Sequence, residues 1–269
     1  MESSFTPATG LLAQLPLLKI GTLGAVAQVR LARPAKRNAI SDELISQLHT
    51  AFVNLPTDVR AVVLSGDGEH FCAGLDLSEL VERDVAEGVL HSRSWHVVMD
   101  AIQFCRVPVV AALHGAVVGG GLELAAAAHI RVADDSAYFG LPEGQRGIFV
   151  GGGGSARIPR LAGVACMTDM MLTGRVLDAH EGERRGLAQY VVPAGRAVAK
   201  AVELAGRIAQ NAPLSNFAVT QALPRIADLP QADGLFMESL MAAIAQGDEA
   251  AKQRLQDFLQ KRAPKVVKS

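Results

Sequence analysis

Aromatic side chains and cysteines are both scarce in this sequence of 269 residues: aromatics make up 4%, and there are three cysteines. Cys72, Cys105 and Cys166 are odd in number, widely spaced and form no Cys-x-x-Cys pair, so neither a disulfide framework nor a structural metal site is expected. Such cysteines are typical of small buried residues in a reducing compartment. We therefore expect no metal and a cytoplasmic location.

The sequence also lacks an excess of one charge and any long apolar run. It has 26 basic and 27 acidic residues and a formal net charge of −1, so no overall field attracts nucleic acid or an anionic membrane. Residues 11–20 are apolar, but Glu2 and Pro16 do not fit a signal peptide. No segment approaches the roughly 18 apolar residues of a membrane span. We expect a soluble protein that binds neither nucleic acid nor membrane.

Short apolar runs that end at turns alternate with helical patterns up to about residue 197, which is typical of parallel α/β folds. Four runs are predicted to be strands: Val26–Leu31, Ala61–Ser65, Val109–Leu113 and Ile130–Ala133. Ser41 is predicted to cap a helix that Pro56 ends. The apolar stripe of that helix consists of Leu44, Ile45, Leu48, Ala51, Phe52 and Leu55.

From Val198 onward the pattern is helical, with no further strand-like run. Four helices are predicted there: Val198–Gln210, Leu214–Ile226, Leu235–Gln246 and Asp248–Arg262. We place a domain boundary at this point, between residues 1–197 and residues 198–269. The second region carries apolar residues that a monomer would leave exposed, which predicts self-association: Phe236, Met237, Leu240 and Met241.

A triple glycine, Gly119 to Gly121, opens a helix that is apolar on every face except at Glu123. A helix that is apolar all round is a buried helix. The residues three and four positions further on, Ala126 and Ala127, cannot pair with a carboxylate, and an unpaired buried carboxylate is costly. Glu123 is therefore a candidate catalytic residue. The alternative is that Glu123 only complements the positive end of its helix.

Backbone amides are a second kind of candidate. Glycines at a helix start let a ligand oxygen approach N–H groups that lack intrahelical partners, and no Lys-Ser or Lys-Thr follows to make a phosphate loop. The segment from Phe71 to Glu79 supplies a comparable donor, the Leu75 N–H, at a strand end where α/β sheets bind ligands. Asp76 and Glu79 resemble a capping box for a helix that begins at Leu77. Two such amides can form an oxyanion hole.

Glu143 lies shortly before a second glycine run, Gly151 to Gly154, which is predicted to open another helix. Arg146 is three residues away, so a surface ion pair is the alternative to a catalytic role. Together with Glu123, however, Glu143 supplies the second group that adding water across a double bond requires, since one group takes a proton and another gives one.

Four segments resemble the crotonase (enoyl-CoA hydratase/isomerase) superfamily, in the family's order and spacing. They are Arg33-Pro34 with Asn38-Ala39, Phe71 with Ala73 to Leu77, His114-Gly115 with Gly119 to Ala125, and Phe139 to Glu143 with Gly147, Gly151, Gly153-Gly154 and Arg157. The resemblance runs from about Ile20 to Pro264.

The resemblance implies an α/β fold, a crotonase-like spiral of ββα units with a C-terminal helical trimerisation region that assembles homotrimers or hexamers. Acyl-CoA thioesters bind between the units, so coenzyme A is part of the substrate and no separate cofactor is expected. Leu75 and Gly120 amides would hold the thioester oxygen, while Glu123 and Glu143 stand where hydratases keep their two glutamates. The implied substrate contacts are Arg33, Lys36, Ala73, Leu75, Asp76, Leu77 and Gly120.

Many relatives with other reactions keep one of these glutamates or neither, so the retention of both favours hydration of a 2-enoyl-CoA. An enoyl-CoA isomerase, or another acyl-CoA lyase or hydrolase, is the alternative within the family. A non-catalytic or RNA-binding member is the alternative outside catalysis, and the neutral charge argues against it.

The sequence departs from the family pattern at three positions: Val150 replaces a usual proline, Thr220 lies near a frequent lysine, and Val266 replaces a common aromatic residue. The first departure would reshape the acyl pocket, and the other two affect contacts with the coenzyme. Residues 78–98 correspond to the family's most variable stretch. Three ring side chains in it receive no role: His91, Trp95 and His96.

Overall fold

The computed structural model describes residues 5–79 and 81–260. In this part of the chain ten strands form two sheets. The larger sheet has the strand order β1-β2-β3-β4-β5-β7-β10: β1 Thr6–Pro7, β2 Leu18–Leu23, β3 Val26–Leu31, β4 Ala61–Gly66, β5 Val109–Leu113, β7 Ile130–Asp134 and β10 Tyr190–Val192. The smaller sheet has the order β6-β8-β9: β6 Ala116–Val118, β8 Tyr138–Gly140 and β9 Leu177–Asp178.

The larger sheet is parallel from β3 to β10, and β1, β2 and β3 pair in antiparallel fashion at one edge. All four predicted strands are confirmed, and the predicted α/β class is confirmed with them. Their near-continuous apolar runs fit parallel strands that are buried on both faces. In β4, for example, Val62 and Leu64 pack in the larger core while Val63 packs in a second core on the other face, as a period of two requires.

Among the described residues, seven helices accompany the sheets: α1 Asp42–Val53, α2 Val85–Gln103, α3 Gly120–Ala127, α4 Gly154–Ala162, α5 Val164–Thr173, α6 Ala179–Arg184 and α7 Ala197–Ala209. The start of α1 is confirmed as predicted, because the Ser41 hydroxyl accepts a hydrogen bond from the Leu44 amide at 3.1 Å. The stripe predicted to face the core is buried. Short 3₁₀ turns cover Gly10–Gln14, Pro34–Lys36, Leu77–Glu79 and Gly144–Arg146.

The chain divides into two compact units, one ending at Ala209 and the other beginning at Gln210. The boundary predicted between residues 197 and 198 marks where the strands end. Helix α7 nevertheless belongs with the first unit, since Ala201, Leu204 and Ala205 cover the second face of the sheet. The division by contacts therefore falls one helix later than the division by sequence pattern.

The second unit is helical: α8 Pro213–Phe217, a π-helical segment Ala218–Ala222, α9 Leu223–Asp228, α10 Gln231–Gly247 and α11 Glu249–Leu259. Thr220 is buried there and donates its hydroxyl to the Asn216 carbonyl at 3.0 Å. On α10, Phe236 is 68% exposed and Leu240 49% exposed. The predicted end of the last helix at Arg262, like Val266, lies outside the described residues.

None of the described helices combines the length and the apolar character that a bilayer crossing requires.

Candidate active site

Glu123 lies in the first turn of α3, a helix whose residues are all buried, as its apolar sequence predicted. The side chain is 3% exposed. Its Oε1 accepts hydrogen bonds from the amides of Gly152 and Gly154, at 2.9 and 2.8 Å. The prediction of an unpaired carboxylate was therefore wrong: the partners come from the second glycine run, on the loop that leads into α4.

Glycine is required on that loop because the backbone wraps closely around the carboxylate. A Cβ built on Gly154 would lie 2.8 Å from Oε1 of Glu123, and one built on Gly152 would lie 3.3 Å from Oε2. Only a residue without a side chain lets the two amides approach in this way. The run therefore serves Glu123 as well as opening a helix.

Arg157 on α4 braces the same loop. Its buried guanidinium donates to the Gly152 carbonyl at 3.2 Å, to Oε1 of Gln103 at 2.6 Å and to Oδ1 of Asp100 at 2.5 Å. Because Gln103 and Asp100 are on α2, Arg157 ties that helix to the loop that holds Glu123. The positive charge also favours the ionised form of Glu123.

Burial raises the pKa of Glu123 to about 6, and the negative charge of Glu143 adds to the rise. The amides of Gly154 and Gly152, together with the Arg157 charge, oppose it. The carboxyl group is therefore mostly ionised at neutral pH, with a pKa close enough to the working pH for a proton acceptor.

Glu143 is the second buried carboxylate, 7% exposed. Burial raises its pKa, and the charge of Arg146 opposes that rise. Within the described residues no ion pair joins Glu143 to Arg146, so the alternative of a surface ion pair does not hold for this conformation. Oε2 of Glu143 is buried without a hydrogen-bond partner in that part of the chain. An unsatisfied buried oxygen marks a place where a ligand or water can bind.

The three glycines at the start of α3 have three different neighbours. A Cβ on Gly119 would lie 2.6 Å from Oε1 of Glu143, and one on Gly121 would lie 2.2 Å from the Cys72 carbonyl oxygen. Gly119 therefore leaves room for a catalytic candidate, whereas Gly121 allows close packing. Gly120 is different, because a Cβ there would lie among Trp95, Ile40 and the Leu75 amide, with Cζ3 of Trp95 nearest at 3.3 Å.

The amides of Leu75 and Gly120 lie side by side. A Cβ on Gly120 would be 3.7 Å from the Leu75 nitrogen, and a Cβ on Gly74 would be 3.6 Å from the Gly120 nitrogen. Leu75 is fixed by a parallel bridge to Ile40, in which the Asp76 amide donates to the Ile40 carbonyl at 2.8 Å. Across the described chain, neither the Leu75 nor the Gly120 amide donates to a protein acceptor. Two neighbouring amides of this kind are candidate donors for an oxyanion hole.

A pocket opens beside these groups, and its walls include Ala73, Leu75, Leu77, Gly119, Glu143 and Arg146. Several predicted substrate contacts therefore meet at one opening, next to the unsatisfied oxygen of Glu143. In the described part of the chain, no cluster of three His, Cys, Asp or Glu side chains could hold a metal ion.

Arg33, Lys36 and Asp76 form a separate group. Arg33 donates to Oδ2 of Asp76 at 2.9 Å and also to the Ala39 carbonyl. Hydrogen bonds from Ser78, whose hydroxyl lies 2.6 Å from Oδ1, and from Arg33 lower the pKa of Asp76 to about 2. Asp76 is thus a structural residue, and its observed cap partner is Ser78; the Glu79 side chain lies outside the described residues. Lys36 is half exposed, with Nζ 3.2 Å from the Ser78 hydroxyl, so of the two predicted cations it is the one open to a ligand.

The sequence did not predict two features of the site. The Gly152 and Gly154 amides that bind Glu123 belong to a glycine run that was predicted only to open a helix. Trp95 on α2 packs against Gly120, although its stretch of sequence predicted no role for it. The departure at Val150 proves to be a buried side chain in the larger core.

The chain is similar to known proteins of one family. A family model for enoyl-CoA hydratase/isomerase matches residues 21–268. A protein of known structure from Rhodopseudomonas palustris, provisionally named an enoyl-CoA hydratase, is 58% identical, with a TM-score of 0.90 over 94% of this chain and 98% of that one. An enoyl-CoA hydratase from Bacillus anthracis is 31% identical, with a TM-score of 0.86 over 93% and 98% of the two chains.

Among curated relatives, the 2,3-dehydroadipyl-CoA hydratase of Escherichia coli is 33% identical over 89% of this chain and 94% of that protein. The solved structures that the chain resembles have the crotonase fold, which confirms the spiral architecture expected from the resemblance. The chain belongs to the enoyl-CoA hydratase/isomerase family.

Proposed function

We propose that this protein is an enoyl-CoA hydratase, which adds water across the double bond next to the carbonyl of a 2-enoyl-CoA thioester. The observation that carries the proposal is a pair of buried carboxylates that differ in their hydrogen bonding. Glu123 has one oxygen bound by two amides, whereas Glu143 has a buried oxygen without a partner in the described chain. Oε1 of Glu143 lies against Gly119, the residue before Gly120, and Glu123 lies in the first turn of α3, the helix that Gly120 begins.

The first step is polarisation of the thioester. Its carbonyl oxygen binds the amides of Leu75 and Gly120, which lie beside each other without protein acceptors in the described residues. These donors stabilise the negative charge that develops on the oxygen as water attacks the β-carbon. Loss of one donor of this kind typically lowers the rate by about 10²–10³-fold.

The two glutamates then share the proton transfers. Glu123, ionised at neutral pH, orients a water molecule with Oε2 and takes its proton as the oxygen bonds to the β-carbon. Glu143, whose pKa burial raises, gives a proton from its unpartnered oxygen to the α-carbon. The enolate collapses to the 3-hydroxyacyl thioester.

Product analysis in isotopically labelled water tests the proposal. With crotonyl-CoA as substrate, hydration places the water oxygen on the β-carbon and a solvent hydrogen on the α-carbon. An isomerase given a 3-enoyl-CoA would move the double bond without incorporating oxygen. If this were the only reaction observed, isomerisation would replace hydration as the proposed function. A salt-dependent RNA shift assay tests the non-catalytic alternative, for which the absence of a shift is expected.

A further inference from the structure

Trp95 is the single tryptophan of the sequence and is 5% exposed. One edge of its indole lies against both ends of the candidate site. A Cβ built on Gly120 would be 3.3 Å from Cζ3, and one built on Gly152 would be 3.2 Å from Cε3. The ring therefore reaches from the amide proposed to bind the thioester oxygen to the loop that holds Glu123.

The orientation of this ring is fixed from the other side. Oδ1 of Asp42, on α1, lies 3.4 Å from the indole nitrogen and 2.7 Å from Nε2 of His91. The rings of His91 and Trp95 are 6.0 Å apart and tilted. An indole held by a hydrogen bond at one end and by backbone contacts at the other has little freedom to swing away.

We infer that Trp95 forms the wall of the acyl chamber beside the reacting carbons and limits the substrate to short acyl chains. The inference rests on the proposed function in one respect, namely that the thioester oxygen binds at Gly120. With the carbonyl at Gly120 and the β-carbon facing Glu123, the wall that contacts Gly120 and Gly152 borders the three reacting carbons. A long chain continuing past the β-carbon would meet the bulkiest side chain that proteins have.

The open pocket lies towards Leu77 and Ile148. Trp95 closes the side of the site that faces α2. The acyl chain of a substrate can extend on that side only if the indole is displaced. Fitting extra methylenes into a filled core is unfavourable, because it forces neighbouring side chains out of their preferred rotamers. Hydrophobic pockets discriminate by about 10–200-fold for each methylene group.

The fluorescence of the single tryptophan tests the position of the wall without any variant. Butyryl-CoA, a saturated thioester that cannot be hydrated, should change the intensity of Trp95 emission on binding, and free coenzyme A should change it much less. Decanoyl-CoA should bind at least about tenfold more weakly than butyryl-CoA. Equal affinity for the two thioesters, or no change of emission with butyryl-CoA, would overturn the inference.

Calorimetry on Trp95 variants tests whether the size of the indole limits the length of the acyl chain. Trp95→Leu should raise the affinity for decanoyl-CoA relative to the affinity for butyryl-CoA by about tenfold or more, and Trp95→Phe should change this affinity ratio less. Leu90→Ala, on the exposed face of the same helix, is the matched control and should leave the ratio unchanged. An unchanged ratio in a folded Trp95→Leu variant would refute the wall. These readouts measure binding only, so they remain valid if water addition fails as the reaction.

Discussion

The Gly154 amide donates to Oε1 of Glu123 at 2.8 Å, across 31 residues of sequence and between the starts of two different helices. This contact, with its counterpart from Gly152, makes a buried carboxylate tolerable in an apolar helix. The two amides also occupy Oε1 of Glu123 and leave Oε2 for a water molecule.

Glu123→Gln should stabilise the fold at neutral and alkaline pH. Gln keeps an oxygen that accepts the Gly152 and Gly154 amides but carries no charge. Since burial raises the pKa of Glu123 from 4.5 to about 6, the native state binds the proton more tightly than the unfolded chain. The stability that the protonated Glu123 carboxyl contributes to the wild type is therefore fully present below pH 4.5 and is lost as pH rises through about 6.

Urea unfolding at several pH values measures this effect. Glu123→Gln should exceed the wild type in free energy of unfolding by about 2 kcal/mol above the pKa, and the two should converge in acid. Glu238→Gln, at an exposed position on α10, is the control and should change little. A gap that does not vary with pH would contradict the buried, ionised state of Glu123.

Activity should have an acid limb near pH 6, because protonation of Glu123 removes the proton acceptor. The turnover number should fall as pH drops through this value. Arg157→Gln should move the limb to higher pH, since the Arg157 charge favours the ionised carboxylate. Arg184→Gln, exposed at the end of α6, should leave the limb in place. If both variants give the wild-type pH profile, Arg157 only supports the loop.

Gly120→Val should abolish turnover. Its branched side chain would enter the space between the Leu75 amide, Ile40 and Trp95, where the Cβ alone already lies 3.3 Å from the indole. Calorimetry should show a much larger loss of affinity for butyryl-CoA than for free coenzyme A, whose adenine and phosphates are expected to bind elsewhere. Equal losses for both ligands would make the triple glycine a packing device and nothing more.

Much of the fold was predictable because it depends on local patterns. The strands β3, β4, β5 and β7 are apolar runs, and Ser41 caps α1 by a contact with its own first turn. The placement of α7 on the sheet was not predictable, since its apolar stripe is equally suited to a helix bundle. Short strands such as β9, with two residues, carry too little pattern to detect.

The structure brings the candidate residues close together, whereas the sequence did not predict their contacts. The Gly120 and Leu75 amides are neighbours, and Glu143 lies near enough to Glu123 to raise the pKa of Glu123. Their catalytic roles stay predictions. The partners of Glu123 lie 29 and 31 residues away, and sequence spacing gives no measure of such a distance in space. Trp95 was missed for the same reason: its role depends on how α2 packs over the glycines.

The second unit should mediate self-association. Phe236 and Leu240 are exposed on α10, and contiguous apolar surface of this kind usually marks an interface. We expect a trimer or a hexamer in solution, as the family resemblance implies. Sedimentation equilibrium at micromolar concentration measures this directly, and a monomer would refute it. Phe236→Glu should weaken the assembly, whereas Glu238→Gln on the same helix should not.

The most direct test of the two-glutamate mechanism is crotonyl-CoA hydration by Glu123→Gln and Glu143→Gln beside calorimetric binding of butyryl-CoA. Each variant should lose about 10²–10⁴-fold in turnover number, because each removes one of the two proton transfers. Affinity for butyryl-CoA should stay close to that of the wild type, since the amides of Leu75 and Gly120 remain. Wild-type turnover in either variant would contradict the account.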